Sequence, residues 1–232
     1  MLFRSDVLGA DHHGYVARVR GGLSAMGEPG ESLEVCLIQL VSLYRNGEKL
    51  SMGKREGNFV TLKQLREEVG TDACRLFFLM RSNDQPLDFD LEIAKSKSNE
   101  NPVFYIQYAH ARVASVLKEA AARGFAYDPV AGKAAALADG GALLGGEAAQ
   151  AMLTSLARYG ETIAQSAANR APHALVHYLR ELANTLHTYY NAERLLVPDD
   201  AQRNARLWFM QAVQQVIRNG LGVLGVAAPE SM

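Results

Sequence analysis

Lys54 and Arg55 set two cations side by side, and Gly53 and Gly57 let the backbone bend around them and turn its N–H groups outward. Such a loop, within residues 49–62, suits the gripping of phosphates, those of a nucleotide among them. The same residue types also make a solvated surface turn. A second cluster, Gly-Ala-Asp-His-His-Gly-Tyr over residues 9–15, carries an acid beside two imidazoles. Asp11 there can accept hydrogen bonds from ribose hydroxyls, or can simply cap a helix. Joint metal ligation by Asp11, His12 and His13 fits poorly, because neighbouring side chains diverge on a strand or a helix, and no metal site is expected. A third group, Phe104, Tyr105, Tyr108 and His110, falls at helical spacing. Tyr105 and Tyr108 share a helix face, where they either stack on unpaired RNA bases or fill a bundle core.

The elements that must hold these groups divide into two unlike halves. Residues 6–9 and the apolar run 34–44 read as buried strands with a helix over 15–26 between them, a β-α-β pattern. Parallel strands of that kind bury both faces. Asn46-Gly47 marks a turn before the basic loop, and a helix opens after Thr61. Within the following helix, Arg75 and Arg81 are read as solvated or as paired with Asp72 or Asp84. After Asn101-Pro102 the pattern becomes helical and stays so, with helices expected over 103–122, 147–159, 161–168, 173–196 and 201–221. The Gly- and Ala-rich stretch 131–146 is expected to be a loose connection. The fold class is therefore α/β plus all-α.

Composition narrows the partners. A chain of 232 residues with 48% hydrophobic content can bury a sizeable core, and its net charge of −1 gives no global pull toward nucleic acid. Any polyanion site must be a local patch. Cys36 and Cys74 are far apart in apolar runs, which supports neither a disulfide framework nor a thiolate metal site. No apolar run approaches a membrane span and no signal peptide is visible, so a cytoplasmic location is expected.

Four ordered segments resemble bacterial arginyl-tRNA synthetases, a class I family: residues 9–15, residues 54–62 (Lys-Arg-Glu-Gly-Asn-Phe-Val-Thr-Leu), residues 72–82 and residues 101–112 (Asn-Pro-Val-Phe-Tyr-Ile-Gln-Tyr-Ala-His-Ala-Arg). The resemblance covers essentially the whole chain, and residues 219–232 look like that family's C-terminus. It implies that residues 1–100 form the second half of a Rossmann-type catalytic domain and residues 101–232 a helical anticodon-binding domain. Ser51-Met52-Gly53-Lys54-Arg55 would correspond to the family's Lys-Met-Ser-Lys-Ser motif, departing from it at Ser51 and Gly53. Lys54 and Arg55 are then the catalytic candidates, with Lys54 neutralising ATP phosphates while the adenylate forms. Gly9, Asp11, His12, Leu43, Tyr44, Met52, Gly53 and Lys54 would line the ATP site. Tyr105, Tyr108, Tyr190 and Arg194 are the implied tRNA contacts.

The implied reaction joins L-arginine to tRNA(Arg) at the expense of ATP, which brings Mg2+ with it; no permanent cofactor and no DNA or membrane partner is implied. The six histidines include no pair with the His-x-Gly-His spacing that class I catalysis uses. The chain is therefore expected to be a C-terminal part of the enzyme, inactive alone, with a half-sheet whose exposed edge favours self-association. The alternative is a stand-alone, non-catalytic tRNA-binding module.

Overall fold

The computed structural model describes residues 4–52 and 59–232. Two compact units arise. One comprises residues 1–61 and 81–92, the other residues 62–80 and 93–232.

The first unit holds the sheets. Strand β1 (Arg4–Gly9) runs through a 3-10 turn (Ala10–Tyr15) into helix α1 (Val16–Ala25), and strand β2 (Leu33–Ile38) returns parallel to β1, from Arg4 opposite Leu33 to Gly9 opposite Ile38. This matches the expected β-α-β pattern. The single strand expected over 34–44 is instead two: β2 stops at Ile38, and β3 (Val41–Arg45) joins a separate sheet with β4 (Glu48–Lys49) and β5 (Leu87–Asp90). The break lies at Gln39 and Leu40, whose backbone groups are taken by the crossing segment: Gln39 N donates to Asn83 O at 2.9 Å, and Leu87 N to Leu40 O at 3.2 Å. Nor are the strands buried on both faces. Val7 in β1 is 68% and Ile38 in β2 37% exposed. Strand β3 pairs parallel to β5, with buried Leu43 opposite buried Phe89, and antiparallel to β4 across Asn46-Gly47. Both turn residues have positive φ, +52° and +80°, which is why Asn-Gly serves here.

The second unit is helical: α2 (Leu62–Val69), α3 (Thr71–Leu79), the end of α4 (Leu91–Lys95), α5 (Pro102–Ala122), α6 (Pro129–Leu137), α7 (Glu147–Ala157), α8 (Tyr159–Ala168), α9 (Pro172–Ala192) and α10 (Asp200–Leu224). Helices α5, α9 and α10 pack on one another, and Ile106, Leu182, Leu186, Val213 and Ile217 are wholly inaccessible between them. Each buried aliphatic side chain contributes roughly 1.5–3 kcal/mol by leaving water. Asn101 starts α5 by accepting from Val103 N (3.1 Å) and Phe104 N (3.4 Å), while its amide donates to Ala94 O and Ser96 O. Pro102 at the first helical position lacks only an N–H that has no helical partner.

The stretch 131–146 corrects the expected loose connection, since its first part is helix α6 lying along α10. Asp128 caps it and Pro129 opens it. A Cβ on Gly132 would lie 2.6 Å from Asn204 O, so glycine is what allows the two backbones to approach. After α10, residues 226–229 turn back over α5: Gln107 Nε2 donates to Ala227 O at 3.0 Å, and His110 Nδ1 meets Pro229 O at 2.8 Å. Arg75 pairs with neither expected carboxylate; its Nε donates to Leu224 O at 3.0 Å, where a cation suits the negative end of α10.

Candidate functional site

In the first unit, the end of β1 gathers Gly9, Asp11 and His12. The Asp11 carboxylate folds back over Gly9, leaving its Oδ1 2.5 Å from where a Cβ would stand. It lies 3.7 Å from His12 Nε2, an exposed pair worth little in stability. His13 turns away to Ala10 O at 3.1 Å, so the two histidines serve different partners. Leu43 is buried in β3 and its carbonyl accepts from Leu50 N at 2.8 Å, so its side chain shapes the strand, while Tyr44 beside it is half-buried. Met52 is 42% exposed. Gly53, Lys54 and Arg55, and with them the expected phosphate grip, lie outside the described residues.

In the second unit, three of the four expected RNA contacts converge. Phe104, Tyr108 and Arg112 recur every four residues along α5, one helical face, with Tyr105 beside them; all four are half-buried. Phe104 and Tyr108 are stacked, with ring centroids 5.8 Å apart and planes 9° apart. Tyr105 meets the His187 ring edge-on at 4.9 Å and donates to Asn184 Oδ1 at 3.1 Å. The Arg112 guanidinium carbon lies 4.6 Å from the ring centroids of both Tyr108 and Tyr190. It also donates from Nη2 to Tyr108 Oη (2.8 Å) and from Nη1 to His187 Nδ1 (2.9 Å). Tyr105, Tyr108 and Tyr190 are thus held as one cluster on α5 and α9. Arg194 is not in it: the residue is exposed past the end of α9, and its carbonyl accepts from Arg206 Nη1 at 2.6 Å.

Because Arg112 donates to His187 Nδ1, that nitrogen must be an acceptor and the imidazole neutral. Burial, then the adjacent Arg112 charge, push its pKa down to about 4, against a smaller upward pull from the Tyr105 backbone. Arg112 and His187 are the residues that sequence reasoning missed. The signal for Arg112 was its place four residues after Tyr108. For His187, 75 positions from Arg112, no local signal exists. His110, read with the tyrosines, belongs instead to the buried interior under residues 226–229, where burial leads a lowering of its pKa. Beside Tyr105 opens a hollow of about 480 Å³ lined by Asn99, Tyr105, His177, Arg180, Glu181 and Asn184. Its aromatic face, two amides and Arg180 suit a single unpaired nucleotide, and the Glu181 carboxylate on the same lining is engaged by Arg158 at 3.0 Å.

Over 227 residues, 98% of its length, the chain is 54% identical to the arginine--tRNA ligases of Coxiella burnetii and of Thioalkalivibrio sulfidiphilus, and it spans 38% of the length of each. A crystal structure from Campylobacter jejuni, described as an arginyl-tRNA synthetase, is similar with a TM-score of 0.84 and 29% identity, covering 98% of this chain and 47% of that one. The Thermus thermophilus arginyl-tRNA synthetase shares the fold, with a TM-score of 0.73 at 24% identity over 98% of this chain and 41% of that chain. The model of the DALR anticodon binding domain matches residues 106–232, a span that holds Tyr108, Arg112, His187 and Tyr190. With more than half of its length in that match, the chain belongs to the DALR anticodon binding domain family.

Proposed function

We propose that this chain is part of an arginine--tRNA ligase, and that its helical unit binds the anticodon region of tRNA(Arg). The whole enzyme would join L-arginine to tRNA(Arg) with ATP, accompanied by Mg2+, in the cytoplasm. In that reading residues 1–100 belong to a Rossmann-type catalytic domain and residues 101–232 to the anticodon-binding domain. Lys54 and Arg55 face the ATP phosphates, and Gly9, Asp11, His12, Tyr44 and Met52 lie around the nucleotide. The exposed β1–β2 pair gives a surface through which copies can associate.

The observation that carries the reading is the aromatic cluster Tyr105–Tyr108–Tyr190 locked around Arg112, within a domain whose family binds anticodons. Stacking on tyrosines is how proteins hold splayed single-stranded RNA, and a neighbouring cation supplies the phosphate attraction. Filter binding of the full chain to tRNA(Arg) and to tRNAs of unrelated anticodon tests it. Preferential binding of tRNA(Arg) supports the reading, and equal affinity for all of them overturns it.

A further inference from the structure

Several arginines in the helical unit are matched by carboxylates. Arg158, Arg206 and Arg218 sit within 3.0, 2.7 and 3.4 Å of the carboxylates of Glu181, Glu193 and Glu230, and Arg123 pairs with Glu119. These charges are neutralised by the fold. Arg112 and Arg180 are different, with no carboxylate within 4.0 Å among the described residues. A guanidinium has five N–H donors and no acceptor. Arg112 commits one to Tyr108 and one to His187, and its Nε is neither bonded nor sealed from solvent. Arg180 is exposed and lines the hollow beside Tyr105. Both cations act on the Tyr105 phenol, lowering its pKa against a larger upward push from burial. A half-buried cation held by aromatic rings, with only neutral partners, attracts an anion more strongly than a solvated one does.

We infer that Arg112 and Arg180 are phosphate-binding residues that tether a single-stranded RNA segment across Tyr105, one of its bases entering the hollow lined by Asn99 and Asn184. The inference rests on the tRNA-binding reading and adds to it the backbone contacts. Each tether releases a counterion when it binds, so each contributes about one unit to the slope of log affinity against log salt concentration. A residue with a purely structural role does not change that slope.

The test is fluorescence anisotropy of the full chain with a labelled hairpin carrying the tRNA(Arg) anticodon loop, over a series of salt concentrations. Arg112→Met and Arg180→Met should each weaken binding about tenfold and flatten the slope by about one. Arg180→Lys should keep the slope. Arg123→Met, which removes a cation already matched by Glu119, should change neither. Unchanged affinity and slope in both methionine variants, while the unaltered chain binds, overturns the inference and leaves the tRNA-binding reading standing. If the unaltered chain binds no hairpin, that reading falls and the inference with it. Should Arg112→Met fail to fold, Arg180→Met decides alone, because Arg180 makes no hydrogen bond that the fold needs.

Discussion

The two units handle their apolar residues in opposite ways. In the helical unit, α5, α9 and α10 enclose Ile106, Leu182 and Ile217 completely, and even the buried polar groups Asn101, Gln107 and His110 have partners. In the sheet unit Val7, Leu40 and Ile38 stay exposed, and the parallel β1–β2 pair has no further strand among the described residues. A helix satisfies its own backbone and needs only a stripe of neighbours, whereas a two-stranded parallel pair leaves unpaired edges and uncovered faces. The sheet unit should therefore be the less stable, and the helical unit should carry the chain's cooperative unfolding.

Substitutions can break that comparison, and the largest effect is expected from the helical core. Leu182→Ala should lower unfolding stability in urea by about 3 kcal/mol, because a fully enclosed leucine leaves both its transfer energy and a cavity behind. A loss below about 1 kcal/mol would mean that the bundle is not the cooperative core. Next comes pH. His187 is neutral in the fold with a pKa pushed down to about 4, so the unfolded chain takes up its proton first as pH falls below about 6.5. The stability that neutral His187 contributes is full above that pH and is lost between it and about 4, at no more than about 1.4 kcal/mol per pH unit. His187→Gln, which can still accept from Arg112, should flatten this part of the profile measured by urea unfolding; a profile identical to that of the unaltered chain would remove His187 as its source.

Smaller effects sharpen the contrast. Asn101→Ala removes the α5 cap and two further hydrogen bonds, and thermal unfolding should register a loss of about 1–2 kcal/mol. Val7→Ala, at an exposed site in the sheet unit, should stay within about 0.5 kcal/mol by the same measurement. A cost there comparable to that of Leu182→Ala would show that a partner surface covers β1 in solution, self-association being the first to check by sedimentation.

What was legible in the chain followed local chemistry. Asn101-Pro102 announced α5, and Asn46-Gly47 announced the β3–β4 turn, because the residues that stabilise each feature are adjacent in sequence. The division of 34–44 into two strands was hidden, since a lone Gln39 among Leu37, Ile38, Leu40 and Val41 is no strand breaker and the separating bonds come from Asn83 and Leu87. Helix α6 was hidden for the opposite reason: residues 131–146 lack contrast between polar and apolar faces, and only the close approach to α10 explains Gly132. At the site, the tyrosines were legible by helical spacing. Arg112's partner was not, because a contact across 75 residues leaves no trace in either segment.

The strap formed by residues 226–229 has a consequence for the order of assembly. Gln107 and His110 are buried in α5; Gln107 Nε2 is shared between Asp72 Oδ2 at 2.8 Å and Ala227 O at 3.0 Å, whereas the carbonyl that His110 Nδ1 meets lies 119 positions further along the chain. Until residues 226–229 arrive, the first long helix of the bundle must either keep the His110 Nδ1 group wet or leave it unpaired in an apolar interior, at a cost of about 1–3 kcal/mol. The bundle can thus begin from α5 but buries His110 fully paired only once residues 226–229 fold back, which makes that strap a latch for the helical unit.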